Sequence, residues 1–428
     1  MSRAPRPAEG PAPARIAGPH LLRALKAGFV AWLPLVLGGQ FLAWTAYAVT
    51  GAFRPWSWVK IGLLNTLAVF RVGIDVRTGE PSGLRSLFPE LFGAPSVRAY
   101  VALGAGTIVA VVLLFRAGRE AGGPFPKEPW RAATLGAIVA PAFAIPCGIT
   151  SLAVTLRFPQ ADVTSMRPVV WQAFVFPLVL AVVCGAIGGL AAAHPAIAST
   201  PARRRWSGAA RGAWHALTWS VVLAFLGFLV LATLRPSASA AYGRWLDGRG
   251  SAGAVVAMYH ALVLPNQSVD VLTISMGSCA ELIAGGDTST LCLGGLDAGD
   301  GVTRLATGGE EELPFGPGYL LFVLVPAVST VVGGRRAAEG VRARGERAMR
   351  AAWGGVGFGG LVALAAWAAG VAIVADEETI ARLGVSPIEA GGLAVIWGVA
   401  GGALGSLLPD RAGVPEEPRP PTGQGEGS

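Results

Sequence analysis

Two polar side chains lie in long apolar segments of this chain. Glu389 is the only acidic residue within a predicted membrane span, and Gln172 lies at the corresponding depth of another span. An ionisable side chain in a membrane segment is a candidate for ion or substrate binding. Both residues lie near the end of a span and can reach water. Two interpretations are therefore open: a symmetric polar pair at an outward-facing vestibule, or two interfacial side chains.

Two prolines, Pro141 and Pro146, interrupt the apolar segment 132–156. Proline removes a helix hydrogen bond and clashes with the preceding turn, so we expect a kink or a break there. Broken helices line binding sites in transporters, although kinks are also ordinary packing features. With Gln40 in the first apolar segment, these prolines are the predicted lining of a solute path.

The long loops carry a third group of candidates. Asp75 and Asp270 are predicted to occupy corresponding places in the two halves of the chain, and Asn65 is predicted to correspond to His260. Their polar side chains predict a cation or polar-solute site at the outer mouth of the protein. The alternative is a pair of solvated acids that cap the neighbouring helices.

Two of the four cysteines, Cys279 and Cys292, lie in one polar loop, whereas the other two lie in apolar segments. The predicted topology places this loop on the oxidising side of the membrane. We therefore expect a disulfide between Cys279 and Cys292, worth about 3 kcal/mol in the entropic model.

Motifs for enzymatic chemistry are missing from the sequence. It has no G-x-S-x-G, H-E-x-x-H, P-loop lysine or C-x-x-C pattern, and its histidines lack metal-ligand spacing. The stretch 355–360 fits G-x-G-x-x-G, but no strand precedes it and it lies within an apolar run. We therefore predict no catalytic residue, no metal and no cofactor, and a protein that is not an enzyme.

The composition requires an environment other than water. Of the 428 residues, 53% are hydrophobic and 14% are charged, whereas soluble domains carry about a quarter charged residues. The apolar residues fall in uncharged runs long enough to cross a bilayer as helices. A soluble enzyme, a nucleic-acid binder and a secreted disulfide scaffold are thereby excluded. The expected partners are the lipid bilayer and either a small solute or an envelope protein.

The fold class predicted from these runs is an all-α integral membrane protein with eight transmembrane helices. Only helices satisfy the backbone of a continuous apolar run in lipid. The predicted spans are 27–49, 99–115, 132–156, 168–193, 212–234, 313–334, 351–375 and 387–408.

Two further apolar segments, 55–70 and 251–264, are predicted as interfacial or re-entrant helices on the outer side. Each is short for a span, and Lys60 would lie mid-span at a cost of about 3 kcal/mol. If both segments did cross, the chain would have ten spans arranged as 5+5 inverted repeats.

The distribution of arginine and lysine predicts the orientation. In the eight-span arrangement, the segments on the side of the N-terminus hold 21 of the 34 basic residues, and such residues concentrate in cytoplasmic loops. We therefore expect a plasma-membrane protein with both termini in the cytoplasm. The Pro-rich tails 1–20 and 410–428 are predicted to be disordered.

The last spans of the two halves share a pattern. Gly185-Ala-Ile-Gly-Gly-Leu190 reappears as Gly402-Ala-Leu-Gly-Ser-Leu407, and Gln172 and Glu389 stand at equal distances before it. This pattern predicts two membrane repeats, 21–200 and 201–409, each with four spans. Since four is an even number, the repeats would be parallel, related by an axis along the membrane normal.

Glycines spaced four apart are typical of close helix packing in membranes, where small residues let helix backbones approach. The pairs are Gly185/Gly189, Gly355/Gly359, Gly398/Gly402 and Gly401/Gly405.

The first functional hypothesis is a permease-like protein that moves or gates a small solute between the two halves. The alternative is a non-transporting envelope scaffold or assembly protein that acts through its outer loop 235–312. A permease predicts a water-lined cavity touched by Gln40, Pro146 or Glu389. A scaffold predicts a dry, glycine-packed interior and an ordered, disulfide-closed outer region.

Overall fold

The structure, a computed structural model, describes most of the chain between residues 16 and 408. The described ranges are 16–51, 57–78, 96–157, 163–193, 201–234, 236–284, 287–293, 295–297, 321–375 and 378–408. The predicted tail 410–428, most of the tail 1–20 and residues 298–312 of the loop 235–312 lie outside them.

Helices make up most of the described residues. They are α1 (Gly18–Thr50), α2 (Ser57–Ala68), α3 (Gly104–Gly122), α4 (Pro129–Ala137), α5 (Val139–Ala153), α6 (Val170–Ala192), α7 (Pro201–Leu234), α8 (Pro236–Asp247), α9 (Ser251–Ser275), α10 (Leu324–Ala338), α11 (Arg344–Ala369) and α12 (Pro387–Leu407).

Seven helical segments of the described chain are long and apolar enough to cross a bilayer, as expected for a multi-pass membrane protein. They are Gly18–Thr50, Pro129–Ala153, Val170–Ala192, Trp206–Val230, Leu321–Ala338, Arg344–Ala369 and Pro387–Leu407. The predicted span 99–115 corresponds to α3, which begins later and carries Arg116, Arg119 and Glu120 near its end. These charges lower its mean hydropathy and keep it outside this group.

A nine-stranded antiparallel sheet adjoins one end of the helices, and the all-α prediction did not contain it. The strands are β1 (Ile74–Thr78), β2 (Ser96–Tyr100), β3 (Leu156–Arg157), β4 (Val163–Pro168), β5 (Ala280–Ala284), β6 (Asp287–Cys292), β7 (Gly295–Asp297), β8 (Val371–Ala375) and β9 (Glu378–Val385). Their order is β3-β4-β1-β2-β8-β9-β5-β6-β7. The membrane part is helical, as predicted, and the loops on one side form the sheet.

Alternating side chains give the sheet a polar face in its first four strands. Asp75 of β1 lies directly opposite Arg98 of β2 and Arg167 of β4, and residues opposite each other share a face. Ile74 lies on the other face, where it packs with Met166 against a small core that includes Leu64 of α2.

Very short connections join the sheet to the helices. Single residues, Val169, Gly370 and Ser386, separate β4 from α6, α11 from β8 and β9 from α12. The sheet is therefore a direct continuation of the helix bundle.

Two apolar cores lie within the bundle, one in each half of the chain. The first is formed by buried residues between Ala24 and Ala193 and the second by residues between Ala213 and Ala394. Helix α9 contacts both, because Tyr259 packs against the first core and Leu272 belongs to the second. The predicted interfacial helix 251–264 is therefore longer than expected and joins the two halves.

Candidate functional site

Gln172 is buried near the start of α6 and holds the segment that leads into β1. Its side-chain oxygen accepts a hydrogen bond from the Gly73 N–H at 2.7 Å, and its amide nitrogen lies 3.4 Å from the Tyr100 hydroxyl. A Cβ at Gly73 would lie 2.8 Å from the Gln172 oxygen and 2.9 Å from the Tyr100 ring, so glycine makes this close approach possible. The polar groups of Gln172 are thus used to attach helix to sheet.

Glu389 lies exposed in the first turn of α12, where the helix dipole favours a carboxylate. Its carboxylate accepts a hydrogen bond from the buried Ser278 hydroxyl at 2.9 Å. Ser278 lies two positions before the start of β5, and Gly73 lies directly before the start of β1. Gln172 and Glu389 therefore each tie the start of a helix to the residues before a strand.

Gln40 attaches α2 to α1. Its amide nitrogen donates a hydrogen bond to the Val59 carbonyl at 3.0 Å, and a Cβ at Gly62 would lie 2.8 Å from the Gln40 Cα. The two helices are in backbone contact here, so Gln40 lies at a helix–helix contact.

The third predicted span, where a kink or a break was expected, is interrupted at Ile138 within the helical segment Pro129–Ala153. Helix α4 ends at Ala137 and α5 begins at Val139, because the ring of Pro141 clashes with the carbonyl of the residue four positions before it. Pro146 lies inside α5 without a second break. At the break, Gly28 of α1 lies against the Val139 backbone, leaving no room for a Cβ. Helix α1 therefore packs directly against the chain between α4 and α5.

Asp75 and Asp270 do not occupy corresponding places. Asp75 lies in β1 and forms an ion pair with Arg98, with 2.6 Å between carboxylate oxygen and Nε, whereas Asp270 lies in α9. The helix predicted over 251–264 continues to Ser275 in the structure, so Asp270 lies within a helix and not in a loop. The two acids therefore do not form one site.

A polar chain runs along α9 from its exposed side. The Tyr242 hydroxyl lies 2.6 Å from Nδ1 of His260, and Nε2 of His260 lies 2.8 Å from Nε2 of Gln267. His260 is thus bonded on both ring nitrogens. Among the described residues, no group of three histidine, cysteine, aspartate or glutamate side chains could hold a metal ion.

Asparagine side chains join the two halves at α9, and the sequence analysis did not identify this role. Asn65 of α2 exchanges hydrogen bonds with the Tyr259 hydroxyl at 2.8 and 3.1 Å. Asn266 donates to the carbonyls of Ala102 and Ala369 at 3.0 and 3.3 Å, one in each half. The sequence analysis gave Asn65 a different role, in a polar-solute site, and Asn266 is visible in the sequence only as an uncharged polar group beside apolar runs.

Arg71 makes a second connection between the halves. Its Nε donates to the Gly370 carbonyl at 3.1 Å, and its guanidinium lies 5.0 Å from the centre of the Trp367 ring. Arg71 has a φ of 56°, a conformation that is uncommon for residues other than glycine. Burial lowers the pKa of its guanidinium.

The glycine prediction agrees with the helix contacts. Substituent Cβ atoms at Gly185, Gly355, Gly398 and Gly405 would overlap the backbone of the facing helix. Gly189 and Gly402 likewise face the Ala132 and Ala351 backbones, and Gly359 faces α12. Helices α6 and α12 thus pack backbone to backbone against their neighbours, as small residues allow in membranes.

Two cavities of the described chain lie apart from the residues of the predicted solute path. A gap among the glycines of α7, α10, α11 and α12 has a volume of about 10 Å³, roughly the space for one water molecule. A cavity of about 380 Å³ lies between α2 and β3, lined by Ser57, Lys60, Thr155, Leu156 and Arg157. Neither is lined by Gln40, Pro146 or Glu389.

Comparisons of the chain with protein-family models, with curated proteins and with solved structures find no match.

Cys279 and Cys292 are joined in the structure, with their sulfur atoms 1.97 Å apart and a separation of 13 positions in sequence. They flank the β5–β6 hairpin, whose strands pair from Ala280–Leu291 to Ala284–Asp287. The other cysteines, Cys147 and Cys184, are buried in α5 and α6.

Removal of this disulfide is expected to loosen the β5–β6 hairpin. With Cys279→Ser and Cys292→Ser together, the hairpin should lose about 3 kcal/mol of stability, because its unfolded loop is no longer closed. Amide hydrogen exchange in β5 and β6 measures this loss. Adding reductant to the native chain should give the same increase in exchange and should not change the double variant. Unchanged exchange in the double variant would show that the sheet alone holds the hairpin.

Proposed function

We propose that this protein is a non-transporting envelope scaffold, in which the sheet holds two membrane halves together and presents a polar face to a partner protein. The observation that carries this proposal is the pairing of β2 with β8, in which residues 97–100 lie opposite residues 372–375. Alternating access requires one half to rock against the other. A main-chain hydrogen-bond ladder between the halves opposes that motion.

The side-chain contacts beneath the ladder support the same function. Arg71 reaches the end of α11, and Asn266 bonds a carbonyl in each half. These bonds lie among buried groups, where losing a partner costs the desolvation of the group left behind. Relative movement of the halves would break several of them at once.

We propose further that the two halves arose by duplication of a four-span unit and lie parallel. The strand order supports this. The first half supplies β3-β4-β1-β2 and the second supplies β8-β9-β5-β6-β7. In each half the hairpin comes first and the strands from the long loop follow, with β7 as an additional strand in the second half. The helix contacts agree. A Cβ at Gly188 would meet the Phe115 carbonyl, and a Cβ at Gly405 would meet the Val331 carbonyl.

In the proposed orientation, the sheet is on the outer side of the plasma membrane and both termini are cytoplasmic. The excess of basic residues at the helix ends remote from the sheet supports it. The Cys279–Cys292 disulfide also supports it, since disulfides persist in oxidising compartments.

Thiol labelling of a native cysteine distinguishes the scaffold hypothesis from the permease hypothesis. Cys147 is buried directly after Pro146, within the predicted solute path. In membrane vesicles of the Cys184→Ala variant, we expect a water-soluble thiol reagent to label Cys147 only after denaturation. Thr379→Cys, at an exposed position of β9, is the positive control. Labelling of Cys147 at a comparable rate in the folded protein would contradict the scaffold and favour the permease.

The partner is tested on the polar face of the sheet. Thr379 lies opposite Val374, which lies opposite Arg98, so the three share this face. A photo-activatable residue at position 379 is expected to cross-link one discrete protein in intact cells. The matched control is position 404, where Leu404 is exposed on the bundle surface and should cross-link lipid. Equal cross-linking patterns at both positions would contradict a docking face.

A further inference from the structure

Two oxygen atoms on one side of α9 are buried without a hydrogen-bond partner. They are Oε1 of Gln267 and Oδ1 of Asp270. The residues are three apart in a helix, so their side chains are neighbours on its surface. A buried acceptor without a donor is costly. Two such acceptors side by side require a group that can bind to both oxygens, either a proton or a small cation.

Within the described part of the chain, the elements packed against α9 offer Asp270 no positive charge. Helix α9 contacts α1, α2, α3, α7, α8, α10, α11 and β9. In the five longest of these helices, the described charged and histidine side chains lie in the part remote from the sheet, whereas α9 packs near the sheet. Described charged or titratable side chains on these elements are His20, Arg23, Lys26, Tyr47, Lys60, Arg116, Arg119, Glu120, Arg211, His215, Arg335, Arg336, Arg344, Glu346, Arg347, Arg350, Tyr242, Arg244, Asp247 and Arg382.

The charged groups at the sheet side of these elements are paired elsewhere or exposed. Arg382 of β9 lies 3.6 Å from the carboxylate of Glu281. Arg244 and Asp247 belong to α8 and are exposed. Leu272 and Val269, which flank Asp270 on α9, belong to the second apolar core. An ionised Asp270 would therefore be a buried charge without a counter-ion, which is strongly unfavourable.

We propose that Gln267 and Asp270 form a proton-binding site, in which the protonated carboxyl of Asp270 donates a hydrogen bond to Oε1 of Gln267. One proton then satisfies both orphan oxygens. Burial raises the pKa of Asp270 to about 7, so the site exchanges its proton near neutral pH. The chain from Tyr242 through His260 to Gln267, with contacts of 2.6 and 2.8 Å, connects the site to the exposed side of α8.

The proton links the stability of the protein to pH. In the unfolded chain Asp270 has its ordinary pKa of 3.8, and in the folded protein about 7. The folded state therefore binds more protons between these values, and stability falls as pH rises through that window. Above it, both states are ionised and the dependence on this residue ends.

Thermal unfolding of the full-length protein in detergent, from about pH 5 to about pH 9, tests the proposal. We expect the melting temperature of the native protein to fall as the pH rises to about 7. Above that pH, Asp270 should cause no further change in the melting temperature. Asp270→Asn should lose that fall, since an amide does not titrate. Asp247→Asn, at an exposed position of α8, is the matched control and should keep the native profile. An Asp270→Asn profile parallel to the native one would overturn the proposal.

Infrared spectroscopy of the native protein gives a second readout that does not depend on folding of a variant. We expect the carbonyl stretch of a protonated carboxylic acid at about pH 6 and its loss above about pH 8. Absence of that band at the lower pH would overturn the proposal.

Melting curves in sodium and in choline salts at the higher pH identify which group occupies the site, a proton or a metal cation. Stabilisation by sodium that Asp270→Asn abolishes would replace the proton with a metal cation and overturn the assignment.

Discussion

Gly355→Ala is expected to destabilise the second half of the protein more than any other single methyl substitution in α11. A Cβ at Gly355 would lie within 2.5 Å of Val399 N, in the backbone of α12, where no rotamer change can relieve the overlap. The two helices would have to separate along their contact. Overpacking of this kind costs about 1–3 kcal/mol and occasionally more.

The matched control for this substitution is Gly360→Ala on the same helix, since no atom lies within 4 Å of a Cβ there. Alanine is favoured over glycine in helices by about 1 kcal/mol, so the control should be neutral or stabilising. Melting temperature and the monodisperse fraction in detergent measure both variants. Equal behaviour of the two would mean that α11 and α12 are not in backbone contact.

Asn266→Leu is expected to separate the two halves locally while each half keeps its own core. Leucine is similar in size but cannot donate to the carbonyls of Ala102 and Ala369. An unsatisfied buried polar group costs about 1–3 kcal/mol. Amide hydrogen exchange should therefore increase in α9 and along the β2–β8 pairing.

Tyr259→Phe provides a graded comparison for Asn266→Leu. It removes the hydroxyl that bonds Asn65 but keeps the ring packed against the first core. A single net hydrogen bond is worth about 1 kcal/mol, so the increase in exchange should be smaller. If Asn266→Leu left the exchange of β2 and β8 unchanged, Asn266 would have no role in holding the halves together.

The sequence predicted the helical membrane part because long uncharged runs have one solution in lipid. It also predicted the break near Pro141 and the close contacts of Gly185 and Gly398, since the effect of each residue type is local. The boundaries were less accurate. The predicted span 351–375 ends at Ala369 in the structure, because the apolar stretch Val371–Ala375 continues as strand β8.

The sheet was missed because its strands are short and come from four separate loops. Ile74-Asp75-Val76-Arg77 and Val97-Arg98-Ala99-Tyr100 do alternate in polarity, which is the signature of a half-buried strand. Within loops between membrane spans, this signal is weak beside the apolar runs. Pairing of β2 with β8 joins residues far apart in sequence, and local patterns contain no information about such contacts.

The candidate site was predicted in part. Gln172 and Glu389 were identified from their positions in apolar runs, but their partners, Gly73 and Ser278, depend on the fold. Asn266 was missed because an uncharged amide between apolar residues gives no chemical signal of its own. Its importance comes from the two carbonyls that the folded chain brings to it.

The one-residue junctions at Val169, Gly370 and Ser386 leave no flexible linker between the membrane helices and the strands of the sheet. Helices tilt when the thickness of the bilayer differs from their apolar length. With no linker to absorb such tilting, the strands that follow must turn with the helices. Membrane thinning or stretching would thus be converted into a change of sheet twist, and the geometry of the sheet surface would report the mechanical state of the adjoining bilayer.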